Sequence, residues 1–195
     1  MKFKKALLVV DVQNDFCPNG ALAVPEGDKI VPSVNKYIKI FSKKKLPIFL
    51  TRDWHPKKTG HFKKFGGAWP VHCIQNTKGA AFHPKLKLPK GAIFLYKGIY
   101  PQRDGYSVFE AETLSGMSFS NLLELFGIEE IYIAGLATDY CVKFSTRDAL
   151  RGGFKVKLLM DAVKGVNINP EDSEDAVREM ARNGAKKITL KDMER

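Results

Sequence analysis

Four side chains in this sequence combine a reactive type with a telling position: Asp11, Asp53, Lys97 and Cys141. A cysteine becomes a working nucleophile when one group takes its proton and another steadies the charge that develops. Asp11 can take the proton, and the Lys97 ammonium favours both a thiolate and an ionised carboxylate. Cys141 follows a turn opened by Gly135, after a strand over 131–134, and sits where a helix begins near Thr138 or Asp139. Thr and Asp are good N-cap residues, because their oxygens accept from the first unpaired N–H groups of a helix. The positive end of the helix dipole at Cys141 then favours a thiolate over a thiol. The plainer alternative makes Cys141 a small buried residue, Asp11 a turn residue and Lys97 a surface lysine.

A second set suits a metal. Asp53 and His55 lie two apart on an extended segment, so they point to one side and can share one ion. His72, in Trp69-Pro70-Val71-His72-Cys73, adds a third donor and leaves coordination positions open, as catalytic sites do. Histidine plus carboxylate suits zinc first, with iron(II) or manganese as alternatives. His61 lies in the same loop as a candidate fourth ligand, whereas His83 reads as an ordinary loop histidine.

These groups need elements to position them. Residues 6–12 are an apolar, β-branched run of strand length. Ile30, Val34, Tyr37, Ile38 and Phe41 recur at helical spacing, predicting an amphipathic helix over 30–42. Further strands are expected at 46–50, 92–96, 131–134, 155–160 and 187–190, with helices at 118–126, after the 131–134 strand as far as Gly152-Gly153, and at 170–182. The stretch from 51 to about 90 has little periodicity and many Gly, Pro, His and aromatic residues, and so long a loop in a domain is usually functional. Alternating strands and helices predict an α/β fold. It has three α/β/α layers around a mainly parallel, six-stranded, doubly wound, Rossmann-like sheet. Asp11, Asp53, Lys97 and Cys141 then fall at the carboxyl ends of four different strands, where open α/β sheets bind ligands.

Composition narrows the class. Residues 1–195 are expected to form one domain, and 44% hydrophobic with 27% charged residues is globular rather than disordered usage. Three cysteines without a CxxC spacing argue against a disulfide framework or a zinc knot. The net charge of +11 comes from scattered lysines without interleaved aromatics, so no nucleic-acid partner is expected. No apolar run approaches the roughly 18 residues of a membrane span. The apolar run after the basic N-terminus ends at Asp11 without a cleavage site. A cytoplasmic protein without a membrane partner is expected, and a homo-oligomer is compatible with such a chain.

Taken together, the motifs resemble the nicotinamidase group of the isochorismatase-like cysteine hydrolase family. They are Val-Val-Asp-Val-Gln-Asn-Asp-Phe at 9–16, Thr-Arg-Asp-Trp-His-Pro at 51–56, Gly-Ala-Trp-Pro-Val-His-Cys at 67–73, Tyr-Lys-Gly at 96–98, Tyr-Ser-Val-Phe at 106–109 and Gly-Leu-Ala-Thr-Asp-Tyr-Cys-Val at 135–142. They stand in the family's order and cover most of the chain. The resemblance implies a catalytic triad of Asp11, Lys97 and Cys141 and metal ligands Asp53, His55 and His72, with one divalent metal, zinc first. It implies an aromatic box of Phe16, Trp69, Tyr106 and Tyr140. It further implies an oxyanion hole from the backbone N–H groups of Ala137 and Cys141, beside a cis peptide at Leu136–Ala137. The implied reaction is hydrolysis of nicotinamide, and of pyrazinamide-like amides, to the acid and ammonia through a thioester. The alternative is a related hydrolase acting on another small amide or on isochorismate. Many relatives read His-x-Ser-Phe after Asp-Trp-His-Pro; here Thr59-Gly60-His61-Phe62 moves the extra histidine by two positions.

Overall fold

A first strand that is apolar at every position from Ala6 to Val10 must be covered on both faces. The computed structural model, which describes residues 2–193, covers it that way. The described residues form six strands: β1 (Lys4–Val10), β2 (Ile48–Asp53), β3 (Ile93–Lys97), β4 (Ile128–Leu136), β5 (Lys155–Lys164) and β6 (Lys186–Ile188). They lie in the order β3-β2-β1-β4-β5-β6, and every pairing is parallel.

Because successive strand residues face opposite sides, β1 feeds two cores. Leu7 and Val9 join Ile48, Leu50, Tyr132 and Ala134 beneath α1 (Val31–Lys43) and α5 (Leu190–Met193). Ala6, Leu8 and Val10 join Phe49, Leu95, Ile131 and Ile133 beneath α2 (Phe119–Phe126), α3 (Lys143–Arg151) and α4 (Asp172–Arg182). Helix α2 has clear stops: the Ser118 side chain accepts from the Asn121 N–H, and Gly127 ends it at φ +65°.

The strand order reverses beside β1, whose neighbours are β2 and β4, so a crevice opens at their carboxyl ends. The expected α/β/α architecture is present, with a sheet that is parallel throughout. Some boundaries differ. β2 runs on to Asp53 and β5 to Lys164, and residue 190, expected in a strand, opens α5. No helix among the described residues is long and apolar enough to cross a membrane.

Candidate active site

Asp11 follows β1 directly and is fully buried, with its backbone in the left-handed region at φ +48°. Thr51, on the adjacent strand β2, holds it twice: the Asp11 N–H donates to Thr51 Oγ1 at 3.1 Å, and that hydroxyl donates to Asp11 Oδ1 at 2.5 Å. Lys97 closes β3 in register with Asp53, the last residue of β2. Its buried ammonium lies 2.8 Å from Asp11 Oδ2, pairs with Asp53 Oδ1, and donates to Cys141 Sγ at 3.3 Å. The Asp11, Asp53 and Cys141 ligand atoms all lie within 4.8 Å of one another. Gln13 braces the set, accepting from the Asp53 N–H at 2.8 Å and donating to the Asp53 carbonyl at 2.9 Å.

One ammonium between two buried carboxylates treats them unequally. Burial raises the proton affinity of Asp11, and Lys97 only partly opposes it. Burial acts on Asp53 in the same direction, but Lys97 and then His55 and His72 outweigh it and hold Asp53 well below the carboxylate range. Burial also works against charge on Lys97, yet Asp11 and Asp53 raise it well above the usual lysine value. A pair of groups pushed apart in this way separates a proton acceptor from a permanent anion. Of the two, Asp11 has the higher proton affinity.

Two expectations about Cys141 are corrected. Neither Thr138 nor Asp139 caps a helix. Residues Thr138–Val142 form a single wide π turn that leads into α3, and no side chain caps it. The Asp139 carboxylate instead accepts from the N–H groups of Val166 and Asn167, at 3.0 and 2.8 Å. Nor does its place at a helix start make Cys141 a resting thiolate. Burial pushes its thiol well above the usual value, with Lys97 lowering it and the two carboxylates raising it. Burial thus favours the thiol over the thiolate at Cys141.

Beside this set lie three buried imidazoles, those of His55, His61 and His72. Each has its Nδ1 against an oxygen: His55 on the Gly98 carbonyl at 3.1 Å, His61 on Asp104 Oδ1 at 2.8 Å, and His72 on the Pro70 carbonyl at 2.8 Å. Nδ1 is thus the protonated nitrogen, and the Nε2 lone pairs remain available. His55 Nε2 is buried without a hydrogen-bond partner. Asp53 Oδ2 lies 3.8 Å from both His55 Nε2 and His72 Nε2. Burial pushes His61 down to about 4, so it is neutral near pH 7, as a ligand must be. An unpartnered imidazole nitrogen, two more nitrogens of fixed tautomer and a carboxylate fit a divalent metal ion. His61 joins His55 and His72, whereas His83 stays apart in its loop, accepting from the Lys85 N–H.

The four expected aromatics, Phe16, Trp69, Tyr106 and Tyr140, line one pocket with Asp53, His61, His72, Ala137 and Cys141. Trp69 packs edge-on against Tyr140 with ring centroids 4.8 Å apart, and its indole N–H donates to Tyr106 Oη at 2.7 Å. Tyr106 in turn stacks on Phe144 at 5.1 Å. The Leu136–Ala137 peptide is cis. A roomier groove of about 460 Å³ lies at the amino ends of β2 and β3, but its described lining has no cysteine, histidine or carboxylate. The carboxyl-end pocket, unlike this groove, is lined by Cys141, Asp53, His61 and His72.

Sequence reasoning did not single out Thr51, Gln13, Asp15 or Asp104. Asp15 accepts from the Cys73 N–H at 2.7 Å and so ties down the loop that carries His72. Gln13 and Asp15 share the Asp-Val-Gln-Asn-Asp-Phe stretch with Asp11, a signal that could have found them.

Fold, buried thiol and lysine-bridged carboxylates define a class, and the chain belongs to the isochorismatase-domain family, whose model matches residues 5–192. Among its relatives, the nicotinamidase of Escherichia coli K12 is 41% identical over 206 residues, covering 97% of each chain. The nicotinamidase/pyrazinamidase of Mycobacterium tuberculosis is 36% identical over 166 residues, 84% of this chain and 88% of its own. Among solved structures, a pyrazinamidase of Pyrococcus horikoshii in complex with zinc superposes with a TM-score of 0.88 at 47% identity, covering 95% of this chain and 99% of its own.

Proposed function

We propose that residues 1–195 act as one hydrolase domain that converts nicotinamide to nicotinate and ammonia, with pyrazinamide-like amides as further substrates. The observation that carries this reading is a single pocket in which the Cys141 sulfur, Asp53, His61 and His72 meet aromatic walls fit for a flat ring, with buried Lys97 joining Cys141 and Asp53 to Asp11. The similarity to nicotinamidases over nearly the whole chain supports it.

In this mechanism Asp11 takes the thiol proton as the sulfur attacks the carboxamide carbon. The N–H groups of Ala137 and Cys141 receive the oxyanion, an arrangement worth roughly 3–4 kcal/mol per donor in comparable sites. Asp11 passes its proton to the departing nitrogen, so ammonia leaves and a thioester remains. Asp11 then deprotonates water, which attacks the thioester, and the proton returns to the sulfur as nicotinate departs. Lys97 keeps Asp11 oriented and its charge compensated throughout. Asp53, His55 and His72, with His61, would hold the metal, which we take as zinc. Held by these residues, the metal or a water on it would contact the pyridine nitrogen, which would give the site a part in orienting the substrate.

The direct test is ammonia release from nicotinamide by purified protein, beside a panel of other amides and isochorismate. Nicotinamide is expected to be the preferred substrate; turnover confined to isochorismate would sink the reading. Chelation, or His72→Ala, is expected to raise KM about tenfold or more by loosening the ring's anchor. Metal-free protein with unchanged kinetics would remove the metal from the account.

Thr51→Val keeps the shape of the side chain and deletes both bonds to Asp11. Its expected cost is about 1–3 kcal/mol of stability. A misplaced base should also lower kcat/KM by about a hundredfold. Urea melts and steady-state kinetics measure the two effects. Full activity in a destabilised variant would reduce Thr51 to a packing residue.

A further inference from the structure

The segment from Gly98 to Gly105 contributes no atom to the histidine cluster, yet it fastens that cluster at four points. The Gly98 carbonyl lies 3.1 Å from His55 Nδ1, and Asp104 Oδ1 lies 2.8 Å from His61 Nδ1. Between them, the Pro101 carbonyl accepts from the Gly60 N–H at 3.0 Å and from Thr59 Oγ1 at 3.1 Å, the two residues just before His61. Both ends of the segment are glycines in the left-handed region. A Cβ on Gly98 would come within 2.3 Å of the His55 ring, and one on Gly105 within 2.3 Å of the Gly98 nitrogen. At both ends, therefore, the backbone lies too close to its neighbours to carry a side chain.

We propose that Asp104 is a positioning residue for the metal centre, fixing His61 as a donor from outside the ligand set. This rests on the metal reading above. An imidazole in a loop can present either nitrogen in either tautomer. A carboxylate on Nδ1 selects the Nδ1–H form, turns Nε2 toward His55 and His72, and makes that nitrogen a stronger donor. The charges are arranged to suit this. His61 is buried, whereas the Asp104 side chain is 57% exposed, so the anion keeps its hydration while its inner oxygen holds the ring. Because Gly98 starts the segment directly after Lys97 and Tyr106 follows its end, the same frame also joins the triad lysine to the aromatic wall.

The experiment is a Zn²⁺ titration against a competing chromophoric chelator, using wild type, Asp104→Ala, Asp104→Asn, His61→Ala and the Asp104→Ala/His61→Ala double variant. Removing an outer-sphere partner of a metal-bound histidine typically weakens binding about 10- to 100-fold, and that loss is expected for Asp104→Ala. Asp104→Asn, which can still accept from Nδ1–H, should lose less. The double variant should bind no more weakly than His61→Ala, because Asp104 acts only through that ring. Co²⁺-loaded Asp104→Ala should also show an altered visible absorption spectrum, which a purely structural aspartate would not cause. Wild-type affinity in Asp104→Ala overturns the inference alone, as does a full additional loss in the double variant. Failure of the wild type to take up Zn²⁺ overturns the metal reading together with it.

Discussion

Replacing Cys141 with alanine is expected to abolish ammonia release from nicotinamide, lowering kcat by about 10⁴-fold or more, as loss of a nucleophile does in other covalent hydrolases. The loss should be in chemistry and not in folding. The sulfur faces the pocket, and its hydrogen-bond partner among the described residues is the Lys97 ammonium, which keeps both carboxylate partners when the sulfur is gone. The variant should therefore melt close to wild type and still bind nicotinamide in a calorimetric titration. Cys141→Ser is the sharper control. A serine hydroxyl is far less acidic than a thiol, so Asp11 cannot deprotonate it readily, and this variant should be nearly as inactive. Substantial turnover by Cys141→Ala would remove the thioester from the mechanism.

The second large effect is expected at Lys97. Its ammonium is fully buried and is the positive charge placed between Asp11 and Asp53. Lys97→Met keeps most of the volume and leaves two buried carboxylates facing each other, for which a loss of about 3–5 kcal/mol is expected. The loss should depend on pH in a definite direction. Without the ammonium, one carboxyl holds its proton in the folded state, so its folded pKa rises above the unfolded value of about 3.9. Stability from such a group is present below the unfolded pKa and is lost as pH rises through the folded pKa. The gap from wild type should thus be small near pH 4 and widest above neutrality, as urea melts across that range would show. Activity should fall as well, because the bare pair can no longer keep Asp11 ionised and aimed. A Lys97→Met protein that melts like wild type at every pH would mean the ammonium does not hold the carboxylates.

The uneven legibility of this chain has a physical cause. Apolar runs announced β1, β3 and β4, because a parallel sheet covered on both faces demands them. The β2 run was expected to stop at Leu50, yet the strand continues through Thr51 and Asp53. Those buried polar residues are held by Asp11, Gln13 and Lys97, so polarity there marks the site and not the strand's end. A helical turn does begin at Thr138, but its expected side-chain cap misled for a related reason. Good capping residues were present, but Val166 and Asn167 claim the Asp139 carboxylate from a distant loop. Cys141, Lys97, Asp11 and the histidines could be suspected from type and spacing. Thr51 and Asp104 could not, because their importance lies in which neighbour the sheet and loops bring to them.

The order of the strands also bears on how the protein is made. β1 leaves the ribosome first but occupies the middle of the sheet, and its partner β4 is synthesised much later. Parallel pairing between segments so far apart in sequence is slow to form and leaves apolar edges exposed meanwhile. Asp11 therefore waits, already synthesised, through β2 and β3 and their loops until Cys141 arrives across the β1–β4 crevice. A nascent chain stopped short of that point holds Asp11 without Cys141, so the pocket that unites them comes into being only when the sheet closes.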